Sequence, residues 1–408
     1  MRIPTVTDGE APASMGRAGR FAIFAVVFFA FVDNFALLPV TGPYAEALGA
    51  GPIGIAVAVA AYSITNLVFD VIGGALVDRF GRRRTLVWSL AISPIALALY
   101  AAADSLDTLV AFRVLHGAAG GMVTAAVFTV VGDIAPVGQR GRYIGRAGAL
   151  IGLAAIVGPA FGGEASARAT SPEGFHLVFF AVAALLAVGL ALTLGFVRET
   201  RAEVVVPAPG RMGAWRELLA NPMLRATYLG TTAYTFAVGT LAAFFAVDLQ
   251  DAGYDRRVSG SLLALFGLIA VLVMLWRRVA ASVDERGPIP ATVIGLGCLA
   301  VSGVLLTVPI TLATATAAMV VYGVGYGFVF PAVGGAVTVA APAAERGRAY
   351  GLFNVAFDLG ISIGPIVGGF AAADLGIGAY VPAVLVCGVA IALLLRMRAS
   401  AVPPSSRP

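Results

Sequence analysis

Apolar and polar positions in this chain are grouped in long blocks, without the short periods of a soluble helix or strand. Near-continuous apolar stretches run over 21–43, 53–77, 85–103, 108–131, 143–163, 174–196, 224–247, 258–281, 288–308, 312–336, 348–371 and 377–396. Each is close to the ~20 residues that cross a bilayer as a helix. Backbone polar groups in lipid must be satisfied within their own segment, so the pattern predicts an all-α integral membrane protein of twelve spans. The longest polar connection, 197–223, divides six stretches from six. Its Pro and Gly residues suit a linker, and "GAWRELLANP" within it predicts a short interfacial helix. The expected organisation is a tail at 1–20, a bundle at 21–196, the linker at 197–223, a second bundle at 224–396 and a tail at 397–408.

Composition strengthens this reading. Of 408 residues, 59% are hydrophobic and only 12% charged, about half the ~25% of a soluble domain. The net charge of +5 comes entirely from arginine, since the sequence contains no lysine. With the N-terminus in the cytoplasm, all 27 arginines except Arg113, Arg168, Arg256 and Arg257 fall in or beside cytoplasmic segments. The positive-inside rule predicts that asymmetry. The basic charge therefore reports topology, and no nucleic-acid partner is expected. Asp33 at the centre of the first stretch argues against a cleaved signal peptide. Cys298 and Cys387 lie inside apolar runs and imply no disulfide framework.

The two halves repeat at one gap-free offset, 284 − 78 = 206. Asp78 and Gly81 meet Asp284 and Gly287, and Gly117 and Gly121 meet Gly323 and Gly327. "PVGQRGRYIG" (136–145) meets "PAAERGRAYG" (342–351), and "GPAFGG" (158–163) meets "GPIVGG" (364–369). Both halves start on the same side of the membrane. Transporters with such repeats place a midplane site between halves that rock against each other.

Over essentially its whole length the sequence resembles the major facilitator superfamily. "GGALVDRFGRRR" (73–84) is similar to that family's motif A at Gly74, Asp78, Arg79, Gly81, Arg82 and Arg83. "RVLHGAAGG" (113–121) is similar to motif B, with His116 where Gln is common. "GPAFGG" resembles motif C of the antiporter branch, with Ala154 at the usual upstream Gly. The resemblance implies a twelve-helix fold in two pseudo-symmetric six-helix bundles, with cytoplasmic termini. It also implies that Asp78, Arg82 and Asp133 form a charge relay that contacts the eleventh helix and shuts the cytoplasmic side. The arginines alone also fit a simple membrane anchor. An acid at this junction can accept hydrogen bonds from a helix N-terminus. The second copy keeps Asp284 and Gly287 but loses the paired arginines, so an asymmetric gate is expected.

Motif C has a packing logic. Gly158, Gly162 and Gly163, with mates Gly364, Gly368 and Gly369, clear one helix face for close backbone approach. Pro159 and Pro365 each remove a helical hydrogen bond. Coupling candidates are the intramembrane ionisable groups. Asp33 lies roughly 18 Å past Phe21 at helical rise, where a carboxylate is costly and a functional candidate by default. Arg113 is the cation expected to answer it, either in a proton-switched pair or in a static one. His116 titrates in a useful range, or is simply hydrogen-bonded. Asp358, with Asn354 one turn earlier, is either a second protonation site or a capped carboxylate. Asp70 reads as structural, and Arg146 as snorkelling.

By resemblance the first, fourth, seventh and tenth helices line the cavity. They carry Phe31, Asn34, Phe35, Phe128, Tyr234, Phe244, Tyr322 and Tyr326. Aromatics with few polar groups suit an amphiphilic or aromatic ligand. No phosphate loop, metal-ligand spacing or nucleophile–base pair stands out, so no cofactor, metal or catalytic residue is expected. The leading expectation is a proton-coupled exporter of small hydrophobic or drug-like molecules, acting as a monomer in the cell membrane by alternating access. Uptake or export of a sugar or metabolite, and a transport-inactive sensor, are the alternatives.

Overall fold

The computed structural model describes residues 15–136, 140–168, 173–200, 212–276, 287–341 and 346–400. Among these residues the chain is entirely helical, without strands. The helices are α1 (Arg17–Ala36), α2 (Thr41–Ala47), α3 (Pro52–Phe80), α4 (Arg82–Tyr100), α5 (Leu106–Asp133), α6 (Arg140–Ser166) and α7 (Glu173–Phe196). They continue with α8 (Met212–Ala220), α9 (Pro222–Asp251), α10 (Arg256–Leu275), α11 (Pro288–Leu305), α12 (Leu312–Ala340), α13 (Arg346–Asp374) and α14 (Val381–Ser400). By length and apolarity, 11 of them are candidate membrane spans. The long helix outside that set is α4, whose 19 residues begin with Arg82, Arg83 and Arg84. It covers the third predicted stretch. The expected interfacial helix is α8.

One predicted stretch is divided. The first ends as a helix at Ala36, and the chain turns through Leu37–Val40 before α2. Pro39 lies in that turn and cannot donate a helical hydrogen bond.

The sequence repeat reappears as repeated geometry. Gly81 and Gly287 both have positive φ, +95° and +77°, and each precedes a helix. Ser105 and Thr311, also 206 apart, head α5 and α12 with reciprocal capping boxes to Thr108 and Thr314. Each cap satisfies a donor that the first helical turn leaves orphaned. Gly117 packs on the Tyr62 carbonyl of α3, as Gly323 packs on the Phe266 carbonyl of α10.

Motif C and its copy behave alike. Gly158 and Gly162 lie against Phe35 and Ala36 at the end of α1, and Gly364 lies against Phe236 of α9. The last glycine of each copy crosses between the halves. A Cβ on Gly163 would stand 2.7 Å from the Gly260 Cα of α10, and one on Gly369 would stand 2.7 Å from the Pro52 carbonyl oxygen of α3. Lipid removes most of the hydrophobic drive for helix association, so close packing of this kind carries the seam. These crossings, with Gly42 of α2 against Ala243 of α9, lie at the end opposite Gly81. The outer faces expose large apolar side chains such as Val71, Leu272 and Leu385.

Gly369→Leu is expected to lower thermal stability in detergent, because overpacking costs about 1–3 kcal/mol. Gly74→Ala is the control: an added Cβ meets nothing within 4 Å, so it should be neutral or stabilise by up to about 1 kcal/mol. Equal losses in both variants would contradict a seam set by backbone approach.

Candidate functional site

Buried polar side chains converge inside the first half. Asp33 near the end of α1 is 4% exposed, and Arg113 and His116, one turn apart on α5, are 5% and 0% exposed. His116 Nε2 lies 3.0 Å from Asp33 Oδ2, and His116 Nδ1 lies 2.9 Å from the Tyr100 hydroxyl of α4. A neutral ring with its proton on Nε2 donates to the carboxylate and accepts from the tyrosine. That tautomer satisfies both bonds at once. Arg113 donates to the Thr41 hydroxyl and the Val59 carbonyl at 3.4 and 3.3 Å. Its guanidinium also lies 5.3 Å from the Tyr62 ring centroid and 5.9 Å from that of Tyr100.

The expected direct pairing of Asp33 with Arg113 is therefore replaced. The guanidinium is occupied by α2, α3 and two aromatic faces, and the carboxylate takes His116. His116 is not a bystander, since it joins Asp33 to Tyr100. Among the described residues Asp33 Oδ1 has no hydrogen-bond partner. It borders a pocket lined by Phe31, Asn34, Tyr62, Ser93 and Thr124.

The expected cavity residues separate. Phe31 and Asn34 line that pocket, while Phe35 packs on Gly158. Phe31 also meets the Phe128 ring, with centroids 6.3 Å apart. Tyr234, Tyr322 and Phe244 are 0%, 2% and 4% exposed, so in this conformation they sit inside the second half and not on an open cavity wall. There Tyr234 meets Tyr326 edge-on at 5.8 Å, and Phe266 contacts both Tyr322 and Tyr326. Asn354 is exposed and Asp358 is buried.

At Gly81 the crowded arginines find separate partners. Arg82 Nε donates to Asp133 Oδ2 at 3.0 Å and lies 3.9 Å from Asp78. Thr200 donates to the same Asp133 oxygen at 2.8 Å. Arg83 donates to the Val197 and Leu194 carbonyls at the C-terminal end of α7. Arg79 lies over the Phe80 ring at 5.1 Å.

Two expectations change here. The acid that caps α4 is Glu199, which accepts from the backbone N–H of Arg82 and Arg83 at 2.9 and 3.1 Å. Asp78 does not take that role. Its side chain is 70% exposed, and its ion pair among the described residues is with Arg82. Glu199 and Thr200 were not singled out in the sequence. The trace they leave is an acid and a hydroxyl placed directly after the sixth apolar stretch. Asp284 lies outside the described residues.

Three of the four arginines that break the charge asymmetry gather at the opposite end. Arg257 Nε donates to Glu164 of α6 at 2.9 Å, and Arg168 approaches the same carboxylate at 3.4 Å. Arg256 donates to the Ser166 carbonyl at 2.6 Å and lies 4.2 Å over the Phe175 ring. The N-terminus of α10 thus grips α6 and α7 across the halves.

Glu199→Ala is expected to cost about 1 kcal/mol of thermal stability through the lost cap. Asp78→Ala, exposed and weakly paired, should stay within about 0.5 kcal/mol of the parent. A reversed ranking in detergent melts would contradict the assignment of the cap.

The model of the Major Facilitator Superfamily matches residues 23–365 and 319–408. Inner membrane transport protein YajR of Escherichia coli (strain K12) is 24% identical over 377 residues, covering 90% of this chain and 78% of that protein. Multidrug resistance protein 3 of Bacillus subtilis (strain 168) is 26% identical over 226 residues, covering 55% of this chain and 39% of that protein. A bacterial homologue of the human lysosomal transporter Spinster, solved inward-facing and unoccupied, superposes with a TM-score of 0.74. It is 16% identical over 93% of this chain and 95% of its own, a likeness of fold alone. With motif A at the start of α4, paired crossing glycines at one offset and a family match over most of its length, the chain belongs to the Major Facilitator Superfamily of multi-pass membrane transporters.

Proposed function

We propose that this chain is a proton-coupled exporter of small hydrophobic or drug-like organic molecules, working by alternating access. Twelve spans are read with α4 as the third. Both termini and the Gly81 turn then lie in the cytoplasm, and the cell membrane is the proposed location. The arginine asymmetry supports this orientation. In it the crossings of α2 with α9 and of α6 with α10 join the halves at the outer end. The partial likeness to a multidrug resistance protein supports the substrate class and export. A monomer is the proposed unit.

The observation that carries the coupling is the buried Asp33–His116–Tyr100 chain beside a pocket. An unprotonated Asp33 holds the ring by a charge-assisted bond, and a proton on Asp33 Oδ2 removes that bond and frees the ring to turn. Two discrete hydrogen-bond arrangements result. A ligand entering the pocket beside the free Asp33 Oδ1 favours one of them, so proton and substrate bias the same element. Arg113 sets the local potential and holds α2 and α3 in register without bonding the carboxylate directly.

Everted vesicles with an imposed pH gradient and a panel of lipophilic fluorescent dyes test the reading. Asp33→Asn is expected to reduce gradient-driven dye flux to the level of vesicles without the protein, while downhill exchange persists. Tyr100→Phe should retain flux but shift its pH profile, because His116 Nδ1 loses its donor. Full gradient-driven flux in Asp33→Asn would exclude Asp33 as the coupling acid.

A further inference from the structure

The crossing of α6 with α10 joins the two halves at the end opposite Gly81, and it carries charged side chains that the proposed coupling leaves unused. A Cβ on Gly163 would stand 2.7 Å from the Arg256 carbonyl oxygen, so this glycine lets the start of α10 lie directly on the last turn of α6. Asp255 caps α10, accepting from the Arg257 backbone N–H at 2.8 Å. The Tyr254 hydroxyl accepts from the Leu312 backbone N–H of α12 at 2.9 Å, which ties this corner to the second half.

The ion pairs at this corner form a chain. Arg257 Nε lies 2.9 Å from Glu164 Oε2, across the halves. Each member of that pair also has a partner on its own side. Arg168 Nε lies 3.4 Å from Glu164 Oε1 within the first half, and Arg257 Nη1 lies 3.8 Å from Asp255 Oδ2 within the second. All four side chains are about half exposed, so water screens each contact and none is strong alone. When the halves part, Glu164 keeps Arg168 and Arg257 keeps Asp255, so neither charge is left bare. While they are joined, two like-charged guanidinium groups crowd one carboxylate.

Arg256 differs in kind. Its Nη1 donates to the Ser166 carbonyl at 2.6 Å, at the C-terminal end of α6, where the helix dipole favours a cation. Its guanidinium lies 4.2 Å from the Phe175 ring centroid of α7, a cation–π contact. Both partners belong to the first half, so parting the halves removes them together. Its neighbour Asp255 is already bonded to the Arg257 amide.

We propose that this corner is a latch between the halves with divided roles: Arg256 holds it, and the Glu164–Arg257 pair releases by falling back on Arg168 and Asp255. The latch rests on halves that rock, as proposed above, and is independent of the substrate, the proton and the direction of transport. Arg168 and Asp255 then act against the joined state, because each stabilises a charge after the halves have parted. Removing either should tighten the latch. A simple network of stabilising ion pairs would loosen on the same changes.

Distances between spin labels on the full chain in nanodiscs test it, with labels at Ala160→Cys and Ser261→Cys, exposed positions on α6 and α10. Cys298 and Cys387 are replaced by Ala in this background. The parent should show a short and a long separation. Arg256→Gln should lower the ratio of short to long at least about fivefold, since hydrogen bonds from charged groups are the stronger kind. Arg168→Gln and Asp255→Asn, which keeps a capping side chain, should each raise the ratio about twofold. The double reversal Glu164→Arg with Arg257→Glu keeps the cross pair and makes both fallback pairs repulsive, so it should raise the ratio further. A ratio that falls or stays fixed in Arg168→Gln or Asp255→Asn would overturn the fallback, whatever the yield of folded Arg256→Gln. A ratio unmoved by Arg256→Gln would overturn its holding role. Two separations with the variants in the wrong order would sink the latch and leave the rocking intact. One separation throughout would refute both.

Discussion

The structure depends on how closely bare backbone can approach bare backbone where water is absent. A helix in lipid satisfies its own amides and gains little from burying one apolar side chain against another. What joins helices there is contact geometry and the few polar groups that find partners. The crossings of Gly163 with Gly260 and of Gly369 with Pro52 are of this kind. They fix the outer seam, and the outer seam fixes the orientation in which every other group meets its neighbour. Asp33 meets His116 because α1 and α5 are held at those rotations.

Polar groups then divide the labour. Inside the first half the acid is hydrogen-bonded to a histidine and flanked by an arginine. At the Gly81 end, Glu199 and Arg83 exchange helix caps, tying the start of α4 to the end of α7. The start of the linker thereby belongs to the same turn as the crowded arginines.

Much of the fold was legible from the residues alone. Long apolar blocks dictate helices, and one offset of 206 predicts paired geometry that the glycines and the capping boxes at Ser105 and Thr311 reproduce. Partner choice was less legible. Arg113 is the stronger charge and the obvious mate for Asp33, but a guanidinium is long, and its fork is drawn to Thr41 and Val59. Whether a histidine one turn away takes the acid depends on helix rotation, which periodicity does not set when a helix is apolar on all faces. The cap on α4 escaped for another reason: Glu199 is 117 positions from Arg82, and a distant acid leaves no local mark. The tyrosines of α9 and α12 read as cavity lining because aromatic residues on inner helices suit both a wall and a core.

The two crossings share a glycine but not a rim. Beside Gly163 stand Glu164 and the Arg256–Arg257 pair, whereas the positions 206 residues away are Phe370, Ala50 and Gly51. The pseudo-twofold axis is therefore broken electrostatically at the outer face. Parting α6 from α10 exposes charges that dissolved ions screen, while the residues that meet at the α3–α13 crossing, Pro52, Ala56 and Gly369, are uncharged. Ionic strength thus bears on one of the two glycine crossings more than on its mate.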